Sequence, residues 1–196
     1  MVSAGISFAM TCQPFVMGIL VSALVGIALT LPISSAAICA ALGLSGIVSG
    51  DEGLALAGGA AVAGCCAQMV GFAVMSFREN RWGGIVAQGL GTSMLQMGNI
   101  IRKPVIWLPT IISSALLGPL STMVFHMENN GVAAGMGTCG LVGPLGVLTA
   151  MSEHDAMFWT GLVLLCLVLP AVITLAISEL MRKLGWIKLG DLKLDL

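Results

Sequence analysis

Charge is what this sequence has least of. Only 9% of its 196 residues are charged, eight Lys/Arg against nine Asp/Glu, and no lysine or arginine precedes Arg78. A soluble domain is about 25% charged and about 45–50% apolar. This chain is 58% apolar, with a mean hydropathy of +1.04. So few charges cannot cover a water-facing surface, and the chain reads as an integral membrane protein. The uncharged start MVSAGISFAMTCQPF lacks the basic region of a cleavable signal peptide. Tyrosine is absent and there are four tryptophans, so the aromatic belt at the membrane surface is thin. A net charge of −1, with no basic patch or stacking platform, gives no footing to a nucleic-acid partner.

Catalytic and metal motifs are missing as well. No Walker sequence is present, so ATP does not drive this chain directly. Cys12, Cys39, Cys65, Cys66 and Cys166 lie in or beside apolar runs, and Cys139 lies in a glycine-rich stretch. Adjacent Cys65 and Cys66 do not have a metal-ligand spacing, and the six read as small packing residues. No metal or cofactor is expected. His126 and His154 fall near one membrane face, where a solvated or capping role fits better than catalysis.

What is present is span-length apolar sequence. A helix needs about 20 apolar residues to cross the hydrocarbon. Pro14–Leu31, Leu54–Phe77, Val105–Met127 and Met157–Leu180 qualify, and Ile33–Ser49 is a fifth candidate. Pro32 suits the first turn of a new helix, so residues 14–50 read as a helical hairpin or as one long broken helix. The stretch ALAGGAAVAGCCAQMVG is mostly glycine and alanine, which lets neighbouring helices approach closely. Gln68 within it needs a partner, either a neighbouring helix or a ligand.

The basic residues cluster at Arg78–Lys103 and Arg182–Lys193. The positive-inside rule places both clusters in the cytoplasm, and Asp51–Gly53 and 128–156 outside. Five spans then run from an outside N-terminus, a start that fits missing upstream spans. The tail WIKLGDLKLDL alternates apolar and charged residues, as a surface-lying segment or a short strand would. Residues 1–182 form a membrane domain by this reading, and 183–196 a cytoplasmic tail.

Two polar, glycine-laced stretches resemble each other. FREN followed by GIVAQGLGTSML (Gly84–Leu95) matches FHMEN followed by GVAAGMGTCGL (Gly131–Leu141), allowing small gaps. A weaker echo links LPISSA (31–36) with LPTIISSA (108–115). The first pair enters from opposite faces. Each member is apolar enough to dip into the membrane and too broken to cross it. That is the pattern of inverted repeats whose interrupted segments meet at a substrate site. The expected architecture is therefore all-α and polytopic, with about five transmembrane helices and two re-entrant glycine-rich hairpins. Candidate substrate contacts are Glu128, Asn129, Asn130, Gly135, Gly137 and Thr138 on one side, and Gly89, Gly91 and Thr92 on the other. Gln68, Glu79 and Asn80 complete the set. Carboxylates and amides suit a hydroxyl-rich ligand, glycine admits a ligand to the backbone, and Thr92 or Thr138 can cap a half-helix.

LPISSAAI, CCAQMVGFAVMSFREN, AQGLGTSMLQMGNI, PVIWLPTIISSALLGPL and MENNGVAAGMGTCGLVG together resemble the enzyme IIC-like membrane family of the phosphotransferase system, from about Met1 to Met151. The resemblance implies a sugar-permease type of protein in the bacterial inner membrane. It also implies that a membrane-embedded Glu or His assists near the sugar, for which Glu128 and then His126 are the best positions. Phosphorylation of the sugar would need separate cytosolic subunits, since no phosphoryl-accepting domain is present. A homodimer in membrane lipid carrying a small polar solute is the expectation. A non-transporting sensor that acts on gene expression through a cytosolic partner is the alternative.

Overall fold

The computed structural model describes residues 2–44, 50–151 and 155–194, and His154 lies outside them. Among the described residues every regular element is helical. At the centre stands α4 (Glu52–Met75), 24 residues long and so about 36 Å, enough to cross a bilayer. Asp51 caps its start by accepting a hydrogen bond from the Leu54 amide, and Ser7 of α1 (Val2–Cys12) donates to the same carboxylate at 2.6 Å. Helix α1 falls in the uncharged arm, to which the sequence reading assigned no element.

Around α4 pack α2 (Pro14–Thr30), α7 (Leu108–Met123) and the outer helix α11 (Leu169–Lys183). Among the described residues three helical stretches are long and apolar enough to cross a membrane: Glu52–Met75, Pro104–Met123 and Ala156–Lys183. The most buried and the least buried of them differ in hydropathy. The central stretch is 89% buried at a mean hydropathy of 1.6, and the outer one is 28% buried at 2.6. A helix surrounded by protein needs small side chains for close packing, whereas a helix facing lipid needs bulk apolar surface. Pro14–Thr30 is a shorter apolar helix of 17 residues.

Residues 45–49 of the expected fifth span, Ile33–Ser49, lie outside the described residues, and residues 33–44 do not form one continuous helix. Ser34 caps a helix of seven residues, α3 (Ser35–Ala41), and the chain turns at Gly43 with φ +68°. Seven residues rise about 10 Å, well short of a crossing. Pro32 lies in the turn ahead of α3 and not in its first turn.

Small residues set the helix spacings. A Cβ on Gly64 of α4 would lie 2.0 Å from the Ser22 carbonyl oxygen of α2, and one on Gly59 would lie 1.6 Å from that of Met127. The tail neither forms a strand nor extends away. Ile187 and Leu192 are buried against Phe72, Met75, Ile100 and Ile106. Asn80 Nδ2 and Gln96 Nε2 both donate to the Leu192 carbonyl oxygen, and Asn80 Oδ1 accepts from the Leu194 amide. The three ion pairs among the described residues, Arg78–Glu179, Lys103–Asp191 and Arg182–Glu79, all lie at this end. Both basic clusters therefore sit at the C-terminal end of α4, while Glu52 and Glu128 sit at its start.

Replacing Gly64 with alanine forces α2 away from α4 and should cost at least about 1–3 kcal/mol. Gly5→Ala, with nothing within 4 Å of the new methyl, should be neutral or stabilising. Thermal unfolding in mild detergent measures both. Equal melting temperatures for the two variants would contradict the packing described.

Candidate functional site

The two resembling stretches are both broken helices. Helix α5 (Phe77–Ile85) leads from the end of α4 into a π-helical segment, Val86–Gly91, whose Gly89 lies beside Ala73. Thr92 is extended, and its hydroxyl accepts from the Met94 amide to start a 3-10 turn, Ser93–Gln96. Helix α6 (Met97–Arg102) then returns to the end from which the segment came. Gln96 Nε2 closes the base of this excursion by donating to Gln88 Oε1 at 3.0 Å.

The second stretch starts from the other end of α4. The Asn129 amide donates to the Ala55 carbonyl, and Asn130 caps α8 (Gly131–Ala134). The chain then reaches the level of Cys65, where Gly137 packs against the α4 backbone at φ +53°. Gly140 and Leu141 also take left-handed conformations, at φ +53° and +61°, and α9 (Val142–Ala150) leads back. The buried Asn129 side chain ties the two arms together. Its Nδ2 donates to the Gly143 carbonyl and its Oδ1 accepts from the Asn130 amide.

The tips of the two excursions touch. Thr138 Oγ1 donates to the Gly89 carbonyl oxygen at 2.5 Å, across 49 residues of sequence. Beside this contact lies a cleft of about 160 Å3. Gly91, Thr92 and Met94 line it from one excursion, Gly135, Met136 and Cys139 from the other, and Ile33–Ala36 complete it. Ser35 Oγ donates to the Gly135 carbonyl at 2.6 Å and fixes that wall.

Of the residues singled out by sequence, Gly91, Thr92 and Gly135 line the cleft, Gly89 and Thr138 bond each other, and Gly137 packs against Cys65. Glu128 lies toward the start of α4 and is half-buried. Burial and the Glu52 carboxylate raise its pKa above the ordinary value. His126 is exposed at a turn with φ +43°. Asn129 and Asn130 are engaged by their own hairpin.

Glu79 and Asn80 sit at the far end of the molecule in contact with the tail. The Gly190 amide donates to Glu79 Oε1 at 2.9 Å. Gln68 has its partners in the protein. Its Oε1 accepts from Trp107 Nε1 at 3.0 Å and from Thr30 Oγ1 at 3.3 Å, and its Nε2 donates to Ser114 Oγ at 3.2 Å. Thr30 in turn shares a 2.9 Å hydrogen bond with Ser93, so Gln68 is linked to the first tip.

Sequence reasoning passed over Thr30, Ser34, Ser35, Ser93 and Ser114. The weaker echo held the signal. One serine of each of its pairs, Ser35 and Ser114, supplies the hydroxyl that braces the Gly135 wall or Gln68.

A family model for the phosphotransferase system EIIC matches residues 1–194. The chain belongs to that family. The EIIC match runs through the tail, beyond the stretch that carried the resemblance by motif. No curated protein and no solved structure is detectably similar to the chain. Membership makes it a multi-pass membrane protein of the phosphotransferase system, in agreement with its apolar helices.

The repulsion between Glu52 and Glu128 is open to direct measurement. Glu52→Gln removes a neighbouring negative charge, which favours the Glu128 carboxylate and must lower its pKa. Burial, the larger cause, still holds it above the ordinary value. Infrared titration of the Glu128 carboxyl reads the shift, and an unchanged or rising midpoint would refute the pairing.

Proposed function

We propose that the chain is the membrane subunit of a phosphotransferase-type permease that moves a small polar solute, a sugar, across the bacterial inner membrane. The observation that carries this reading is the Thr138–Gly89 hydrogen bond between two glycine-broken excursions that start from opposite ends of α4. In a bilayer these excursions are re-entrant hairpins. Irregular backbone survives at membrane depth only where protein or a wet cavity satisfies it, and the cleft beside the contact is such a place. The chain is read with its basic end, including the C-terminus, in the cytoplasm. The hairpins are then inverted repeats.

At about 160 Å3, the cleft is smaller than the ~300–1,000 Å3 of drug-sized ligand pockets, which limits it to one small solute. Thr92 and Ser34 offer hydroxyls, and glycine backbone at Gly91 and Gly135 lets the solute approach polar main chain. Glu128 stands on the outer approach, where burial and the Glu52 carboxylate hold its pKa above the ordinary value. The cleft opens sideways past the exposed Ile33 and Met94, and a homodimer that seats this face against its copy would close it. Phosphorylation of the solute is assigned to separate cytosolic subunits of the system.

Uptake of labelled sugars into proteoliposomes, with the cytosolic phosphotransferase components enclosed, tests the reading. Thr92→Val removes a hydroxyl from the cleft, and Thr138→Val removes the tip contact. Each should lower uptake by about three- to tenfold, the equivalent of one hydrogen bond. Wild-type uptake by both folded variants would dismiss the cleft as the site.

A further inference from the structure

A cavity larger than the cleft lies elsewhere. A groove of about 480 Å3 opens at the basic end, between the last turn of α4, helix α5 and helix α11. Val74, Ile85 and Leu175 form its apolar floor. Phe77 and Trp82 meet edge to face at 5.5 Å along one wall, and Trp82 is 72% exposed. Its rim is charged. Arg78 pairs with Glu179 at 3.1 Å, with more than half of the arginine side chain still accessible. Arg81, next to Trp82 in sequence, does not line the groove; it is exposed, sits at φ +52° and makes no ion pair among the described residues.

We propose that this groove binds an anionic phospholipid of the leaflet at the basic end. Depth and chemistry agree on this occupant. Leu175 lies one helical turn before Glu179, so the apolar floor is farther into the hydrocarbon than the charged rim. An acyl chain fills the floor. Tryptophan at the rim marks the interfacial level, where indole rings prefer to lie. Arginine at that level takes a phosphate through paired N–H donors, and anionic headgroups are drawn to membrane-adjacent basic side chains. A sugar is a poor match for a floor without polar side chains, and a soluble protein is a poor match for a groove that runs below the interface.

Glu179 makes the site selective in a testable direction. Its carboxylate competes with the lipid phosphate for Arg78, so neutralising it should tighten anionic lipid binding even though it breaks a protein ion pair. A role confined to structure predicts the reverse.

The full chain, extracted in mild detergent from vesicles of equal phosphatidylglycerol and phosphatidylcholine, is weighed by native mass spectrometry. Wild type should retain phosphatidylglycerol over phosphatidylcholine by about fivefold per arginine engaged. Replacing Arg78 by alanine should bring the ratio to parity. Glu179→Gln should raise it, and Leu175→Trp, which fills the floor, should remove retention of both lipids. Arg102→Ala with Lys193→Ala, on the same face but outside the groove, should leave the ratio unchanged. Equal retention of the two lipids by wild type overturns the proposal. So does an equal loss in the Arg102/Lys193 pair, or a dimer that carries no lipid.

Discussion

Everything in this molecule depends on how closely other chain segments can approach the α4 backbone. At Gly59 and Gly64 the neighbouring carbonyl oxygens of Met127 and Ser22 occupy the space in which a side chain would begin. At Cys65 the visitor is itself a glycine, Gly137. Lipid is as apolar as leucine, so burying apolar surface does little to drive helices together in a membrane. Dispersion contacts and hydrogen bonds between close backbones do that work. A helix of glycine and alanine is poor at facing lipid and good at being surrounded. Both broken hairpins need a surrounded surface to lie against.

The same closeness decides where polar groups can go. The deepest set around α4 joins Gln68, Trp107, Thr30, Ser93 and Ser114, and each hydrogen bond in it runs between different elements. In hydrocarbon an unpaired amide would cost several kcal/mol. Gln68 therefore locks the end of α2, the start of α7 and the first hairpin tip into one register. With its oxygen and one amide hydrogen bonded to protein, Gln68 does not line the cleft, which offers hydroxyls and backbone.

Much of this was legible. The composition named the membrane, the span lengths found α2, α4, α7 and α11, and the basic clusters predicted that 78–103 and the tail share an end. The GxGT resemblance picked out the two segments whose tips meet, because glycine and threonine are what a helix break and a tip contact need. The losses have physical reasons. Ile33–Ser49 is apolar enough to span, but Ser34 and Gly43 punctuate it locally, and hydropathy averages over such punctuation. Glu79 and Asn80 looked like ligand groups because they open the first copy of the repeat, where Glu128 and Asn129 open the second. Their partners, Arg182, Gly190, Leu192 and Leu194, are more than a hundred residues away, and no local pattern reports them. Serines drew little notice because a lone hydroxyl in an apolar helix usually bonds its own preceding turn; only the partner distinguishes Ser35 or Ser114 from that default.

The two ends of the first hairpin are held by forces of different size. Its base carries the Glu79–Arg182 pair, with side chains only 5% and 8% exposed, together with the amide clamps of Asn80 and Gln96 on the tail. Removing one partner of such a buried pair costs about 3–5 kcal/mol, because the other charge is left without compensation. Its tip is held by two hydroxyl contacts, from Thr138 and from Thr30, each worth about 0.5–1.5 kcal/mol net. A hydroxyl can exchange one oxygen acceptor for another by turning about a single bond, and a bound solute or water offers such an acceptor. The hairpin thus parts from its opposite number far more cheaply than it leaves the tail. In the transport we propose, the motion that exposes the cleft to one side and then the other belongs at the Thr138–Gly89 contact, with the ion-paired base as its fixed anchor.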